Sequence, residues 1–202
     1  MIVIYVESNF VLEHALQQEQ HSHCEQIIKL AELSQISLTI PALALAEPHQ
    51  KLGVRQNSRN GLINHFEELR KSAPYKEIAG DFKPFVTALR NRIIEEQTRF
   101  KDTIERILAI ATIIALDKPT LESVTEIAAK SRLKGQDAII FASVLGHLRQ
   151  TKPESACFLN RNFKDFDDPF VKEELAKLNC EYIPNFNGGL EFINTHLDSK
   201  EV

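Results

Sequence analysis

Five apolar residues, Ile2-Val3-Ile4-Tyr5-Val6, run without a break into Glu7. β-Branched and aromatic side chains suit a strand. The lack of polar alternation calls for one covered on both faces, as in the interior of a parallel sheet. Ser8 and Asn9 are helix-capping types, and Phe10, Val11 and Leu12 follow them. The chain is therefore expected to stop sharply and enter a helix. Glu7 then stands at the carboxyl end of the strand, the edge where open α/β sheets bind ligands.

The remaining pattern alternates helices with short strands. Phe10 to about Gln18 reads as a short helix. After the polar break His21-Ser22-His23, a second helix follows, with Cys24, Ile27, Ile28 and Ala31 on one side. Ile36 to Ile40 alternates with period two and ends at Pro41, which suits a helix start and puts Glu47 near that end. Two helical pieces are expected next, around Leu62 to Lys71 and from about Asp81 to Leu116. Asp137 opens a helix that is apolar nearly all round, so it is expected to be buried. Ala156 to Leu159 reads as a short buried strand and Cys180 to Ile183 as a last strand. A polar, acid-rich loop from Asn160 to Pro169 follows the first of them, and a helix from Val171 to Leu178 leads to the second. Pro184 and Gly188-Gly189 mark loops before a closing helix, Leu190 to Leu197. The expected fold is α/β, a mainly parallel sheet of about four or five strands flanked by helices. A single domain over 1-202 is expected, with a helical insertion at about 55-130 between the second and third strands.

Charge is uneven along this order. Between Lys51 and Arg106 there are twelve Lys or Arg against eight Asp or Glu, although the whole chain carries -4. A basic wall over a cleft, using Arg55, Arg59, Arg92, Arg99 and Lys101, is one reading. An amphipathic helix pair is the plainer one, since Glu95, Glu96 and Asp102 interleave. The acidic balance argues against a wholly basic surface, so a nucleic acid would meet a local patch. No apolar run approaches the roughly 20 residues that span a bilayer. An opening strand that contains a glutamate reads as neither a signal nor a transit peptide. Three scattered cysteines, Cys24, Cys157 and Cys180, fit reduced thiols and a cytoplasmic setting rather than a disulfide frame. His21, His23 and Cys24 lack a second ligand pair and read as polar residues at a helix start.

Four acids stand at equivalent places in this topology. Glu7 ends the first strand, Glu47 follows the second, Asp137 opens the buried helix, and Asp165 follows the next strand. In a right-handed parallel sheet these positions converge at one edge. Carboxylates gathered there repel one another. Mg²⁺ or Mn²⁺ relieves that repulsion, prefers oxygen ligands, and leaves positions open for water and phosphate. Metal-assisted phosphodiester hydrolysis is the matching reaction class.

Several motifs together resemble the PIN domain. They are a hydrophobic strand ending in an acid and a small polar residue, an acid after strand two, a helix opening Asp137-Ala-Ile-Ile, and a strand followed by Asn160-Arg-Asn-Phe-Lys-Asp-Phe. The likeness covers about residues 1 to 50 and 130 to 185, and the insertion resembles that of the longer PIN-like proteins. It implies a Mg²⁺- or Mn²⁺-dependent ribonuclease acting on single-stranded RNA, of a kind often paired as a toxin with an antitoxin protein. Carried over by position, Glu7, Glu47 and Asp137 match the first three acids. The fourth is amidated as Asn162, which offers a carbonyl, with Asp165 as substitute and Asp168 more distant. Asn9, Asn160 and Arg161 are the candidates for substrate contact. A homodimer through the apolar stripe of the long helix is a further expectation.

Two other readings stand beside this one. The departures at Glu7 and Asn162 fit a degenerate PIN-like module that binds RNA or protein without cutting. A Toprim-like nuclease also uses a strand ending in Glu with a later Asp-x-Asp. Asp165-Phe166-Asp167 has that form, but it lies several residues beyond its strand.

Overall fold

The computed structural model describes residues 1–77 and 79–199; Ile78 and the last three positions of the expected single domain lie outside the described residues. Five strands, β1 (Ile2–Val6), β2 (Ile36–Pro41), β3 (Thr112–Ile114), β4 (Ala156–Leu159) and β5 (Cys180–Ile183), form one sheet in the order β3-β2-β1-β4-β5. All four pairings are parallel. The chain order runs outward in one direction from β1 to β3 and in the other from β4 to β5. The reversal therefore lies between β1 and β4, where a crevice opens beyond the carboxyl ends of the strands.

The central strands are almost wholly buried, and the edge strand β3 is largely open. This is why β1 and β4 read as unbroken apolar runs. Helices α1 (Ser8–Ala15), α2 (His21–Glu32) and α9 (Phe186–Asp198) bury Phe10, Val11, Ile27, Ile28, Phe186 and Ile193. Phe10 meets Phe186 edge to face at 5.3 Å. Helix α6 (Gln136–Thr151) is buried along most of its length, as its composition requires. Cys24, Cys157 and Cys180 are unpaired and buried, and burial raises all three thiols well above their ordinary range.

Four boundaries differ from the sequence expectation, each for a physical reason. Helix α1 begins at Ser8 because Glu7 itself caps it, and it ends at Ala15, just before Gln17 takes a left-handed φ of +50°. Helix α3 (Ala42–Leu69) is one piece that runs through Pro48. The proline removes a backbone donor, but burial of Ala44, Pro48 and Leu52 and the packing of α4 (Ala79–Ile110) alongside outweigh that loss. The long helix α4 stops at Ile110, not near Leu116. Thr112-Ile113-Ile114 pair with Thr39-Ile40-Pro41 and become an edge strand, a competition that β-branched residues favour. Helix α5 (Lys118–Lys130) follows, so the segment after β2 contains a strand as well as helices.

Gly188 and Gly189 lie inside α9, not in a loop before it. Asn185 caps that helix by accepting a hydrogen bond from Gly188 N at 2.6 Å. A Cβ at Gly189 would stand 2.6 Å from Leu159 Cδ1 on β4. Since Leu159 is fully buried, it has little room to move aside. Gly189→Ala is expected to lower stability by about 1–3 kcal/mol through overpacking. The check is a lower urea midpoint at unchanged slope.

Candidate active site

A cavity of about 750 Å³ opens at the reversal point of the sheet, and Glu7, Glu47, Asp137 and Asn162 all line it. Each arrives on a different element. Glu7 follows β1 and is 3% exposed. Its Oε1 accepts from Asn9 N at 3.0 Å and its Oε2 from Ser8 Oγ at 2.7 Å. The cap of α1 thus fixes the carboxylate in one orientation. Glu47 projects from the second turn of α3, with its Oε1 2.6 Å from Lys51 Nζ. Asp137 sits in the first turn of α6. Gly135, the residue that opens that turn, has φ +54°, a conformation L side chains rarely adopt. Asn162 donates from Nδ2 to Asp137 Oδ2 at 3.3 Å and to Asp165 Oδ2 at 2.9 Å.

The electrostatics reflect this crowding. Burial pushes the Glu7 carboxyl up to about 7, with Glu47 adding repulsion and the Ser8 and Asn9 donors opposing the rise. Burial, then Asp165 and Glu47, push Asp137 up to about 6. The Glu47 carboxylate thus adds to the rise at both Glu7 and Asp137.

Other candidates fall elsewhere. Asp165 does not line the cavity; it sits behind Asn162 and shares its amide. Asp168 is buried as the cap of α8 (Pro169–Ala176), accepting from Phe170 N at 2.9 Å and Arg132 N at 3.1 Å. Asp167 ends the short α7 (Phe163–Phe166) and pairs with Lys172, which leaves the Asp-x-Asp alternative without a shared site. Asn9 lines the cavity. Asn160 is wholly buried and shapes the loop by accepting from Asn162 N at 2.6 Å, so its expected substrate contact is corrected. Arg161 reaches the cavity wall with its guanidinium already held by Glu13 at 2.7 Å and Glu19 at 3.1 Å.

The basic wall also needs correction. Arg55, Arg59 and Arg92 converge on Glu96, a carboxylate with no exposed surface, and Arg92 and Arg99 also pair with Glu95. Much of that charge is spent inside the α3–α4 pair. Besides Ser8, the small polar residue of the first motif, the cavity walls include Lys51, Lys134, Gln136 and Glu13, none of which the motif reading placed in the site. Lys51 carried a signal, four residues after Glu47 on one helix face. Glu13 carried none, because its partner Arg161 lies 148 positions away.

Among the described residues, no three His, Cys, Asp or Glu side chains are gathered closely enough to hold a metal ion as they stand. The donor set itself fits a hard divalent cation. It consists of three carboxylates and one amide, with no sulfur or imidazole, the oxygen donors that Mg²⁺ and Mn²⁺ prefer. Among the described residues, no helix is long and apolar enough to cross a membrane.

Comparison with curated proteins finds no match. Among solved structures, a chain of VapBC2 from Rickettsia felis, crystallised bound to a DNA fragment from its promoter, is similar at 12% identity and a TM-score of 0.45. The match covers 91% of this chain and 99% of that one. The family model described as PIN domain matches residues 4–166, which take in most of β1 and all of α1, α3, α6 and β4, the elements around the cavity. With most of its length under that model, the chain belongs to the PIN domain family.

Proposed function

We propose that the chain is a metal-dependent endoribonuclease that hydrolyses phosphodiester bonds of single-stranded RNA. The supporting observation is that Glu7, Glu47 and Asp137, carried by three separate elements, face one cavity, where burial and neighbouring carboxylates hold the Glu7 and Asp137 carboxyls above their ordinary range. In this reading Glu7, Glu47, Asp137 and the Asn162 carbonyl hold Mg²⁺ or Mn²⁺, with Asp165 acting through Asn162. When bound, the ion supplies an activated water and stabilises the charge that gathers on the phosphate oxygens. The chain's own groups do the rest. The α1 cap holds Glu7 oriented before any ion arrives. Lys51, on the cavity wall beside Glu47, would offer its ammonium to the phosphate if Glu47 held a cation. Lys134, exposed at the rim, draws the RNA backbone toward the opening.

A second reading, an RNA- or protein-binding module without catalysis, is favoured by two observations. Lys51 already neutralises Glu47, and an amide stands at the fourth acidic position. Incubating the protein with single-stranded RNA and Mn²⁺, beside Glu47→Gln and Asp137→Asn, separates the two. Cleavage lost in both variants supports the nuclease. Intact RNA that remains bound by all three proteins supports the module.

Asn162→Asp offers a finer test. A fourth carboxylate is expected to tighten Mn²⁺ binding at least about tenfold. It also replaces an amide donor facing Asp137 and Asp165 with a third like charge, so the ion-free protein is expected to melt lower. Calorimetric titration and thermal melting read the two effects separately. A homodimer and an antitoxin-type partner belong to the same reading, and light scattering of the chain alone and mixed with such a partner measures both.

A further inference from the structure

A second hollow of about 400 Å³ lies beside the acidic cavity, between α1 and α3, and shares Leu12, Gln18 and Lys51 with it. Its floor is apolar, formed by Leu12, Leu16 and Val54, and its α3 side carries Lys51, Arg55 and Ser58. Val54 is 66% exposed, an apolar side chain on an otherwise polar stretch of helix.

Helix α3 explains the layout. Glu47, Lys51, Arg55 and Arg59 follow one another at intervals of four, so they form one stripe leading away from the cavity. Each step is about 6 Å along the axis, close to the separation of consecutive phosphates in an extended strand. Arg59 is taken up by Glu96 in a two-pronged pair. Arg55 is held only loosely to the same carboxylate, at 3.8 Å, and is 45% exposed. Arg92 also reaches Glu96, at 3.3 Å. One buried carboxylate therefore faces three guanidinium groups, and the least engaged of them borders the groove.

We propose that this groove is a second nucleotide subsite. It seats the nucleotide next to the scissile phosphate, its base against Leu12, Leu16 and Val54 and its phosphate between Lys51 and Arg55. The proposal rests on the RNA reading above and adds to it the direction the strand takes, outward along α3. Continuity with the acidic cavity and complementary charge favour a nucleic-acid strand over a peptide. The apolar surface of Leu12, Leu16 and Val54 can pack against the face of a base while Lys51 and Arg55 take its phosphate.

The test uses the full chain and a short fluorescein-labelled oligouridine, titrated in EDTA so that cleavage plays no part. Arg55→Glu is expected to weaken binding about tenfold and to reduce the slope of log affinity against log salt by about one. Val54→Asp, at a position too exposed to disturb the core, is expected to weaken it comparably. Thermal melting of both variants verifies that Arg59 and Arg92 still satisfy Glu96. Binding within twofold of the parent for both variants overturns the subsite. So does an acidic peptide that occupies the groove where oligouridine does not, which would assign it to a protein partner. If the variants lose RNA affinity while the parent shows no Mn²⁺-dependent cleavage, the groove stands and the nuclease reading fails. The reverse pattern leaves the nuclease reading and removes the groove.

Discussion

Asp137→Asn and Glu47→Gln are each expected to reduce Mn²⁺-dependent RNA cleavage by about a hundred- to a thousandfold. Both substitutions keep side-chain volume and remove one negative charge from the cavity wall. The magnitude is that of deleting one preorganised group acting on developing charge or one determinant of ion affinity. Raising Mn²⁺ should recover part of the loss where ion affinity is the cause and none where orientation is, so activity measured across an ion titration divides the two. Glu47→Gln also releases Lys51 from its 2.6 Å partner. Its RNA affinity in EDTA is therefore expected to rise as cleavage falls. Cleavage that survives both substitutions within about twofold would remove these carboxylates from the chemistry.

Glu7→Gln is expected to stabilise the ion-free protein by roughly 3 kcal/mol at about pH 8. The folded Glu7 carboxyl keeps its proton up to about 7, against an ordinary value of 4.5. Between those values the native state binds more protons than the unfolded chain, so parent stability falls as pH rises through the window. Glutamine avoids the ionisation and retains an oxygen that accepts from Asn9 N. The difference between the two proteins should therefore vanish below about pH 4.5 and be complete above about pH 7. Asp137, raised to about 6 and half-open to water, contributes in the same direction with smaller weight. Saturating Mn²⁺ should reverse the order, because a cation rewards the ionised carboxylates and protects only the parent. Urea melts across pH, with and without the ion, read both effects. A variant no more stable than its parent at alkaline pH would show that Glu7 ionises freely in the fold.

Local signals that coincide with burial were legible in the chain. β4 lies where its apolar run falls, because a strand covered on both faces needs no alternation to be seen. The meeting of Glu7, Glu47 and Asp137 followed from topology alone, since parallel crossovers bring strand ends to one edge. What depended on distant partners was hidden. Thr112-Ile113-Ile114 continue a helical stripe in sequence and become sheet only because β2 offers an open edge. Asn160 looks like a solvent-facing loop residue, yet it is enclosed beneath the turn it stabilises, where its backbone carbonyl also accepts from Tyr182 Oη at 3.2 Å. The arginines of the basic segment look free until α3 and α4 are laid side by side and Glu96 appears between them.

The three sealed sulfhydryls give the molecule an internal clock. Cys24 lies in α2, Cys157 in β4 and Cys180 in β5, so a colourless disulfide reagent can reach them only when those elements part. The closed protein should consume almost none of it, and the pace of colour development then counts excursions from the native state. Run alongside the Mn²⁺ titration, that pace would show whether an ion seated at the end of β1 steadies the neighbouring strands or only the loops that touch it.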